Sequence, residues 1–550
     1  MNLVKKSVVM LVASMVLGGV TTQARDLEKL HKEFLSWKFG MFIHFNMSTF
    51  VPGGWSTGRE DPLKFAPENL DIGQWADAAK AAKMKYAVLT IKHTGGWCLW
   101  PTKTTDHNVS MFKNYKNGKG DIVREFVDAF RSRGLKVGFY YCFPLWGKVW
   151  PNHMTLPHPD YASGNFDALG LVKAQFKELL TNYGKIDLIW IDQSGTTNGG
   201  MRPGDWMKFK AYVHKLQPEC VVVANNATDF ERSDILGYEY PYSLKLPKPD
   251  NTKASEVCDK LNGGWFANPN GRAVPVRTPE YIVDKMLLPM VNRHSNYLLN
   301  CSPEYTGKLH PETVRVLKEI GERWDPSDTS KYDKELYGML TNAVPRVPTD
   351  KKQVSICLDY SWDNDSRLKA AEILKKHGST ATFFVDGDTA KNKRKPLREL
   401  VKYGNGLGNQ AALDKNLNKV SAMKVRNAMH IPQDNLFRFY SPATIILPCK
   451  DVSWEIWCTL NYYQLITLAP AIVVDKSTEM IDVMSKVGAG DIILVKHSAK
   501  ALAQLEELLT GLDGVSLKSV TARKLIANSK SRRLKSVLKA SGADVETGRE

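Results

Sequence analysis

The eight cysteines, Cys98, Cys142, Cys220, Cys258, Cys301, Cys357, Cys449 and Cys458, are scattered, and no two stand at a CxxC or other close metal-binding spacing. That absence excludes a zinc ribbon or finger. In apolar runs such as Tyr140-Tyr141-Cys142-Phe143 a buried free thiol is the simpler reading. Long apolar stretches are equally scarce. The run Ser7 to Val20 falls short of the ~20 residues that span a bilayer, and no later segment approaches that length. With Lys5 and Lys6 before it and Thr22-Gln23-Ala24 after it, the run reads as an export signal over residues 1–24. The mature chain is then expected to be periplasmic or extracellular, with no integral membrane segment. Acidic residues are also in deficit, giving a formal charge of +17. The surplus is spread along the chain, densest between Lys518 and Lys539, and reads as solubility or affinity for anionic glycans rather than as a nucleic-acid surface.

What is present is an ordinary globular composition, 43% apolar and 24% charged, over 550 residues. That length exceeds the size at which single cores stop growing, so two or more domains are expected. Over 25–325, short apolar runs (Phe39–Phe45, Tyr86–Ile91, Lys136–Tyr141, Asp187–Ile191, Cys220–Ala224) alternate with amphipathic stretches (Asp71–Lys83, Asp121–Arg133, Leu169–Tyr183). Strand–helix alternation of this extent predicts a parallel α/β fold, and a (β/α)8 barrel fits the length. The proline-bearing stretch 326–350 reads as a linker. A second α/β pattern follows over 351–520, from Val354–Leu358 through a helix at Arg367–His377 to Asp491–Val495 and a helix at Ala501–Leu512. The remainder, 521–550, reads as a basic, then polar and acidic, frayed tail.

Several runs of the first domain end in chemically capable residues: His44, Lys92-His93, Tyr141 and Asp192. In a barrel, catalytic groups sit at the C-terminal ends of strands. Asp192 closes the run Asp187-Leu188-Ile189-Trp190-Ile191-Asp192, and spacing alone favours a helix cap slightly over a catalytic carboxylate. Five ordered segments bear on that choice. They are Lys38-Phe39-Gly40-Met41-Phe42-Ile43-His44-Phe45, Lys92-His93 with Trp97-Cys98-Leu99-Trp100-Pro101, Gly138-Phe139-Tyr140-Tyr141, Trp190-Ile191-Asp192, and Ser295 to Pro303. Together they resemble successive motifs of glycoside hydrolase family 29, the α-L-fucosidases.

The resemblance implies a retaining exo-glycosidase acting on terminal α-L-fucosyl units, with Asp192 as nucleophile. It implies a sugar pocket lined by His44, His93, Tyr141 and Trp190, with Trp55 and Trp265 as further walls. Aromatic faces pack on sugar C–H surfaces while imidazoles and a phenol bond hydroxyls. The acid/base is expected at Glu239, with Glu256 as the alternative. A separation of ~5–5.5 Å between the Asp192 and Glu239 carboxyls supports the pair, whereas 10 Å or more moves the assignment to Glu256. Two departures bear on the substrate: His93-Thr94-Gly95-Gly96 stands where the family commonly has His-His-Asp-Gly, and Gly54-Trp55 where it commonly has Glu-Trp. Both remove groups expected to bond sugar hydroxyls, and a site loses discrimination when such a partner goes. The partner is therefore a fucosylated or related glycan, and no cofactor is implied.

The second domain resembles the polysaccharide deacetylases (NodB-like, a distorted β/α barrel) in Cys357-Leu358-Asp359-Tyr360-Ser361, Gly378 to Gly387, Phe437 to Ser441 and Asp491 to His497. Such enzymes hold a metal with one Asp and two His. Here the base position survives as Asp359, while Tyr360 replaces the metal-binding Asp. The His-Thr-x-x-His segment corresponds to Gln410-Ala411-Ala412-Leu413-Asp414. Without those ligands no metal is expected and the domain reads as inactive. The departures in both domains also support an alternative of another class, a carbohydrate-binding pseudo-enzyme.

Overall fold

The computed structural model describes residues 26–541 except 59, 144–166, 194–202, 242–244, 268–275, 330–342, 411–421, 437–439, 441–443 and 447–452. The segment expected as an export signal lies outside them. Eight parallel strands form the first sheet: β1 (Phe39–Ile43), β2 (Tyr86–Lys92), β3 (Lys136–Cys142), β4 (Leu188–Asp192), β5 (Val221–Ala224), β6 (Leu236–Glu239), β7 (Ser255–Lys260) and β8 (Ser295–Asn300). Their order is β5-β4-β3-β2-β1-β8-β7-β6. The β5–β6 seam is drawn together by amide bonds from Asp234 to the Val222 carbonyl (2.8 Å) and from Gly237 to the Ala227 carbonyl (3.1 Å). The sheet is thus a nearly closed barrel, as the alternating pattern predicts, and its first five strands fall on the five apolar runs.

Helices follow the strands where an aspartate supplies the first turn with an acceptor. Asp71, Asp121 and Asp167 accept from the amides of Gln74, Arg124 and Gly170 at the starts of Ile72–Ala81, Ile122–Ser132 and Ala168–Asn182. Each satisfies a donor that the helix start would otherwise leave open. Strand parity then sorts the side chains. Phe42, Tyr86, Tyr140, Trp190, Val223 and Leu298 meet inside the barrel. Met41, Leu89, Phe139, Ile191 and Val222 face the helix layer, among Trp75, Phe126, Phe176 and Phe209.

The second sheet runs β13-β12-β11-β10-β9-β15-β14, with β9 (Gln353–Leu358), β10 (Ala381–Val385), β11 (Gly406–Asn409), β12 (Thr444–Ile446), β13 (Ile466–Leu468), β14 (Ile472–Val474) and β15 (Ile492–Val495). A short β16 (Lys518–Ser519) pairs with the start of β9. This curled parallel half-barrel agrees with a NodB-like second domain.

Two boundary expectations need correcting. The described end of the expected linker belongs to the second domain. Val344 bridges to Leu468, Arg346 donates to both carboxylate oxygens of Asp491 (2.5 and 3.0 Å), and Val347 is fully buried. Most of the expected tail is ordered structure. Helices Ala522–Ala527 and Arg532–Ala540 bury Leu525, Ile526, Leu534 and Leu538 against Cys357, Phe384 and Leu494 of the sheet. Lys524, Lys535 and Lys539 are exposed between these apolar positions, so charge density hid an amphipathic helix.

All seven described cysteines, every one but Cys449, are buried free thiols. Among the described residues no helix is long and apolar enough to cross a membrane.

Candidate active site

The C-terminal ends of β3 to β8 bring a set of polar groups together at one mouth of the barrel. Asp192 ends β4, and its Oδ2 accepts the Tyr140 hydroxyl at 2.8 Å. Its Oδ1 accepts the Gln193 amide at 2.8 Å and the Asn225 side-chain amide at 3.1 Å. The same Asn225 Nδ2 donates to Glu239 Oε2 at 2.8 Å. One nitrogen therefore bridges two carboxylates, and the two oxygens stand no farther apart than those 3.1 and 2.8 Å bonds laid end to end. That ceiling bounds one oxygen pair and is compatible with the ~5–5.5 Å carboxyl separation of retaining enzymes.

The environment of Glu239 separates it chemically from its neighbour. Burial, and then the charge of Asp192, push its carboxyl up to about 7, against the pull of the Asn225 and Asn226 amides and of Lys260. Two adjacent carboxyls cannot both ionise cheaply, and Glu239 is the one held toward its protonated form. The pair thus offers one proton-holding acid beside Asp192, which accepts from a phenol and two amides, the division of labour that acid/base chemistry needs.

Glu256 occupies a different level. It is the second residue of β7, 1% exposed, and accepts from the Tyr86 hydroxyl (2.5 Å) and the Trp190 indole (3.1 Å). Burial raises it to about 7 as well. Its partners are both barrel-interior side chains below the strand ends, so it underpins Trp190 rather than facing the mouth.

The expected pocket aromatics assemble around this pair, with one exception. His44 bonds Asn300 Oδ1 through Nδ1 at 2.8 Å and lies 4.9 Å from the Trp265 ring. His93 stacks on Tyr140 at 5.5 Å and stands 5.2 Å from Trp55, which is 42% exposed at the rim. Burial lowers His44 to about 3 and His93 well below its ordinary value, so both rings are neutral. Neutral imidazole is both donor and acceptor, the form suited to a hydroxylated ligand. Trp190 stacks on Tyr140 at 5.4 Å and forms the floor. Trp265 is nearly buried beside Lys260, whose Nζ lies 5.8 Å from its ring.

Tyr141 is the exception and is corrected. Its hydroxyl donates to Gln175 Oε1 at 2.7 Å and its ring packs on Phe176, both on the outer helix Ala168–Asn182. Strand register explains the error: Tyr140 pairs with Trp190 and Cys142 with Asp192, so Tyr140 shares their inward face and Tyr141 does not. Sequence reasoning also missed Asn225, Lys260, Phe266 and Asn300. The first, third and fourth carry no distinctive spacing, but the strict alternation Glu256, Cys258, Lys260 marks Lys260 as inward once Cys258 is known to be.

Of the two departures, Thr94 places its Oγ1 3.1 Å from His93 Nδ1 and so engages one ring nitrogen of that imidazole. Gly54 has φ +71°, a conformation L side chains rarely adopt, so the loop is shaped without the acid rather than merely trimmed of it.

In the second domain, Asp359 accepts from the Ser361 amide (3.2 Å) and hydroxyl, and Gln410 Oε1 accepts the Tyr360 amide at 3.0 Å. Residues 411–414 of the expected metal segment lie outside the described residues. Tyr360 offers a phenol in place of a carboxylate and Gln410 is spent on backbone, so these residues do not fit a divalent metal.

Residues 60–325 match the family model described as alpha-L-fucosidase, and residues 346–444 match the polysaccharide deacetylase model. The alpha-L-fucosidase 1 of Arabidopsis thaliana is 27% identical over 314 residues, covering 52% of this chain and 58% of that protein. The tissue alpha-L-fucosidase of Homo sapiens is 26% identical over 327 residues, covering 52% of this chain and 66% of that one. The chain thus spans under two thirds of either relative's own length. Among solved structures, alpha-L-fucosidase isoenzyme 1 from Paenibacillus thiaminolyticus is 29% identical with a TM-score of 0.44, over 54% of this chain and 75% of that one.

Proposed function

We propose that this chain, an α-L-fucosidase-family domain followed by a polysaccharide-deacetylase domain, is a retaining exo-glycosidase that removes terminal α-L-fucosyl or closely related residues from glycans. The observation that carries the reading is the Asn225 amide shared between Asp192 and Glu239. In this scheme an Asp192 oxygen attacks the anomeric carbon as the glycosidic C–O bond breaks, and Glu239 gives its proton to the departing oxygen. A glycosyl ester on Asp192 results. Glu239, now ionised, takes a proton from water as that water attacks the same carbon and frees Asp192. Tyr140 steadies the carboxylate before attack. His44 and His93 bond the hydroxyls, and Trp265, Phe266 and Trp55 supply apolar wall for C–H surface.

The relatives' printed names support fucose as the sugar, while Thr94 and Gly54 favour a relaxed choice among fucose-like sugars. The second domain, with Tyr360 and Gln410 at expected ligand positions, contributes no deacetylation. Export is part of the proposal and rests on Lys5, Lys6 and the apolar run to Val20; N-terminal sequencing of the mature protein beginning near Arg25 tests it.

The deciding experiment is hydrolysis of an aryl α-L-fucoside. Asp192→Ala is expected to lower kcat by 10³-fold or more, and azide is expected to restore turnover in Glu239→Ala. Glu256→Gln is expected to keep most of kcat. Sugar binding without turnover on any aryl glycoside would replace the enzyme reading with the carbohydrate-binding one.

A further inference from the structure

The helix Trp454–Tyr462 of the second domain lies against the barrel along one face. Residues at i, i+4, i+7 and i+8 share a helix face, and these four positions all meet the barrel. The Trp454 indole donates to the Leu246 carbonyl at 3.0 Å, and the Cys458 carbonyl accepts the Tyr240 hydroxyl. Asn461 Nδ2 is 3.7 Å from Met286 Sδ, and the Tyr462 ring stands 5.6 Å from the Tyr240 ring and 4.6 Å from the Arg277 guanidinium.

Two of these contacts adjoin the reacting groups. Tyr240 follows Glu239 directly and is fully buried, and its amide donates to the Cys258 carbonyl at 2.9 Å. The backbone that carries Glu239 is therefore pinned by β7 on one side and by the second domain on the other. Arg277, under the Tyr462 ring, faces Asp259 Oδ2 at 3.5 Å, and Asp259 Oδ1 accepts the amide of Lys260 at 2.7 Å. Lys260 Nζ in turn lies 5.9 Å from the Tyr462 ring and 5.8 Å from the Trp265 ring, within electrostatic reach of Glu239.

We propose that the second domain is a positioning element for the barrel's reaction, with Tyr240 and Tyr462 as the residues through which it holds Glu239 and Lys260 at the pocket. The proposal rests on the retaining reading above for its catalytic meaning. It gives the deacetylase-like domain a role that needs no metal. Among the described residues, the charged and titratable groups facing Glu239 are Asp192 on β4, Tyr140 on β3, and Cys258 and Lys260 on β7. Loosening the wall admits water beside Glu239 and weakens its burial, which is the main cause holding its proton.

The test uses the full chain and the variants Tyr240→Phe, Tyr462→Ala, Tyr462→Phe and Trp454→Ala. Glutamate carboxyl ¹³C labelling, with Glu239→Gln for assignment, follows the Glu239 titration directly. The pH profile of kcat/KM on an aryl α-L-fucoside follows its consequence. Tyr240→Phe and Tyr462→Ala are expected to move the Glu239 midpoint and the alkaline limb down by half a pH unit or more. They are also expected to lower kcat several-fold with KM within twofold. Tyr462→Phe keeps the ring over Arg277 and is expected to behave as the native chain.

Unchanged Glu239 titration in folded Tyr240→Phe and Tyr462→Ala overturns the proposal. So does an equal shift in Trp454→Ala, which loses the indole bond to the Leu246 carbonyl and reports general loosening of the interface. A shifted titration in a chain with no glycoside turnover sustains the coupling and removes the fucosidase reading. Normal turnover with an unmoved titration does the reverse.

Discussion

At the residue scale, the site is defined by which groups stay neutral. Glu256 keeps a proton in the folded chain up to about pH 7 that an ordinary glutamate releases near 4.5. Folded chain thus binds more protons than unfolded chain between those values, and stability falls as pH rises through that window. His44 works in the opposite sense. Its folded value of about 3 lies below the ordinary 6.5, so stability is lost as pH falls from 6.5 toward 3. Glu256→Gln removes the first term. The difference in unfolding free energy between pH 4.5 and pH 8 is expected to shrink by on the order of 3 kcal/mol, at 1.36 kcal/mol per unit. Urea unfolding of both chains at the two pH values measures it, independently of any fixed cost of the amide. Equal slopes would mean that Glu256 ionises freely inside the barrel. Tyr140 and Tyr141 make the complementary point: two identical side chains, adjacent in sequence, serve a carboxylate and a helix layer respectively because a strand alternates its faces.

At the element scale, two glycine–aromatic pairs set the interior of the two sheets. Gly40 on β1 pairs with Tyr86 on β2, and a Cβ at Gly40 would meet the Tyr86 ring at 2.5 Å. Gly408 on β11 pairs with Phe384 on β10, where the same atom would meet the ring at 2.3 Å. In each case the absent side chain on one strand is the space for the ring on the next. Gly40→Ala is expected to displace Tyr86 and strain its bond to Glu256, costing about 1–3 kcal/mol as overpacking does. Chemical denaturation gives the value; a midpoint equal to the native one would show that the ring has room to shift. The substitution acts on the floor of the pocket, so a loss of kcat is expected alongside the loss of stability.

At the scale of the whole molecule, the apparent tail is a structural part of the second domain. Leu534, Val537 and Leu538 are buried against the sheet, and burying such side chains is worth about 1.5–3 kcal/mol each. A chain ending at Lys530 is expected to lose ~5 kcal/mol or more, seen as a lower melting temperature or as insoluble product. A native-like melt of the truncated chain would return the segment to the status of a tail. The loss would spread to the barrel through the helix Trp454–Tyr462, because residues of both domains share one contiguous core.

What the amino-acid sequence determined by itself was the periodic part of the molecule and its chemistry at strand ends. Apolar runs of strand length, spaced by capped amphipathic stretches, specify a parallel α/β sheet wherever they recur, and Asp192, His44 and His93 are legible because each closes such a run. Tertiary structure alone decided which face of β3 looks inward, that an asparagine after β5 joins two carboxylates from different strands, and that Glu256 lies beneath the pocket while Glu239 lies within it. It also decided that a basic tail is a buried helix and that the second domain touches the residue beside Glu239. Periodicity is a local property of the chain, fixed over a few residues by backbone geometry. Register, burial and the meeting of distant carboxyls depend on how whole elements pack, and no single stretch of sequence encodes them.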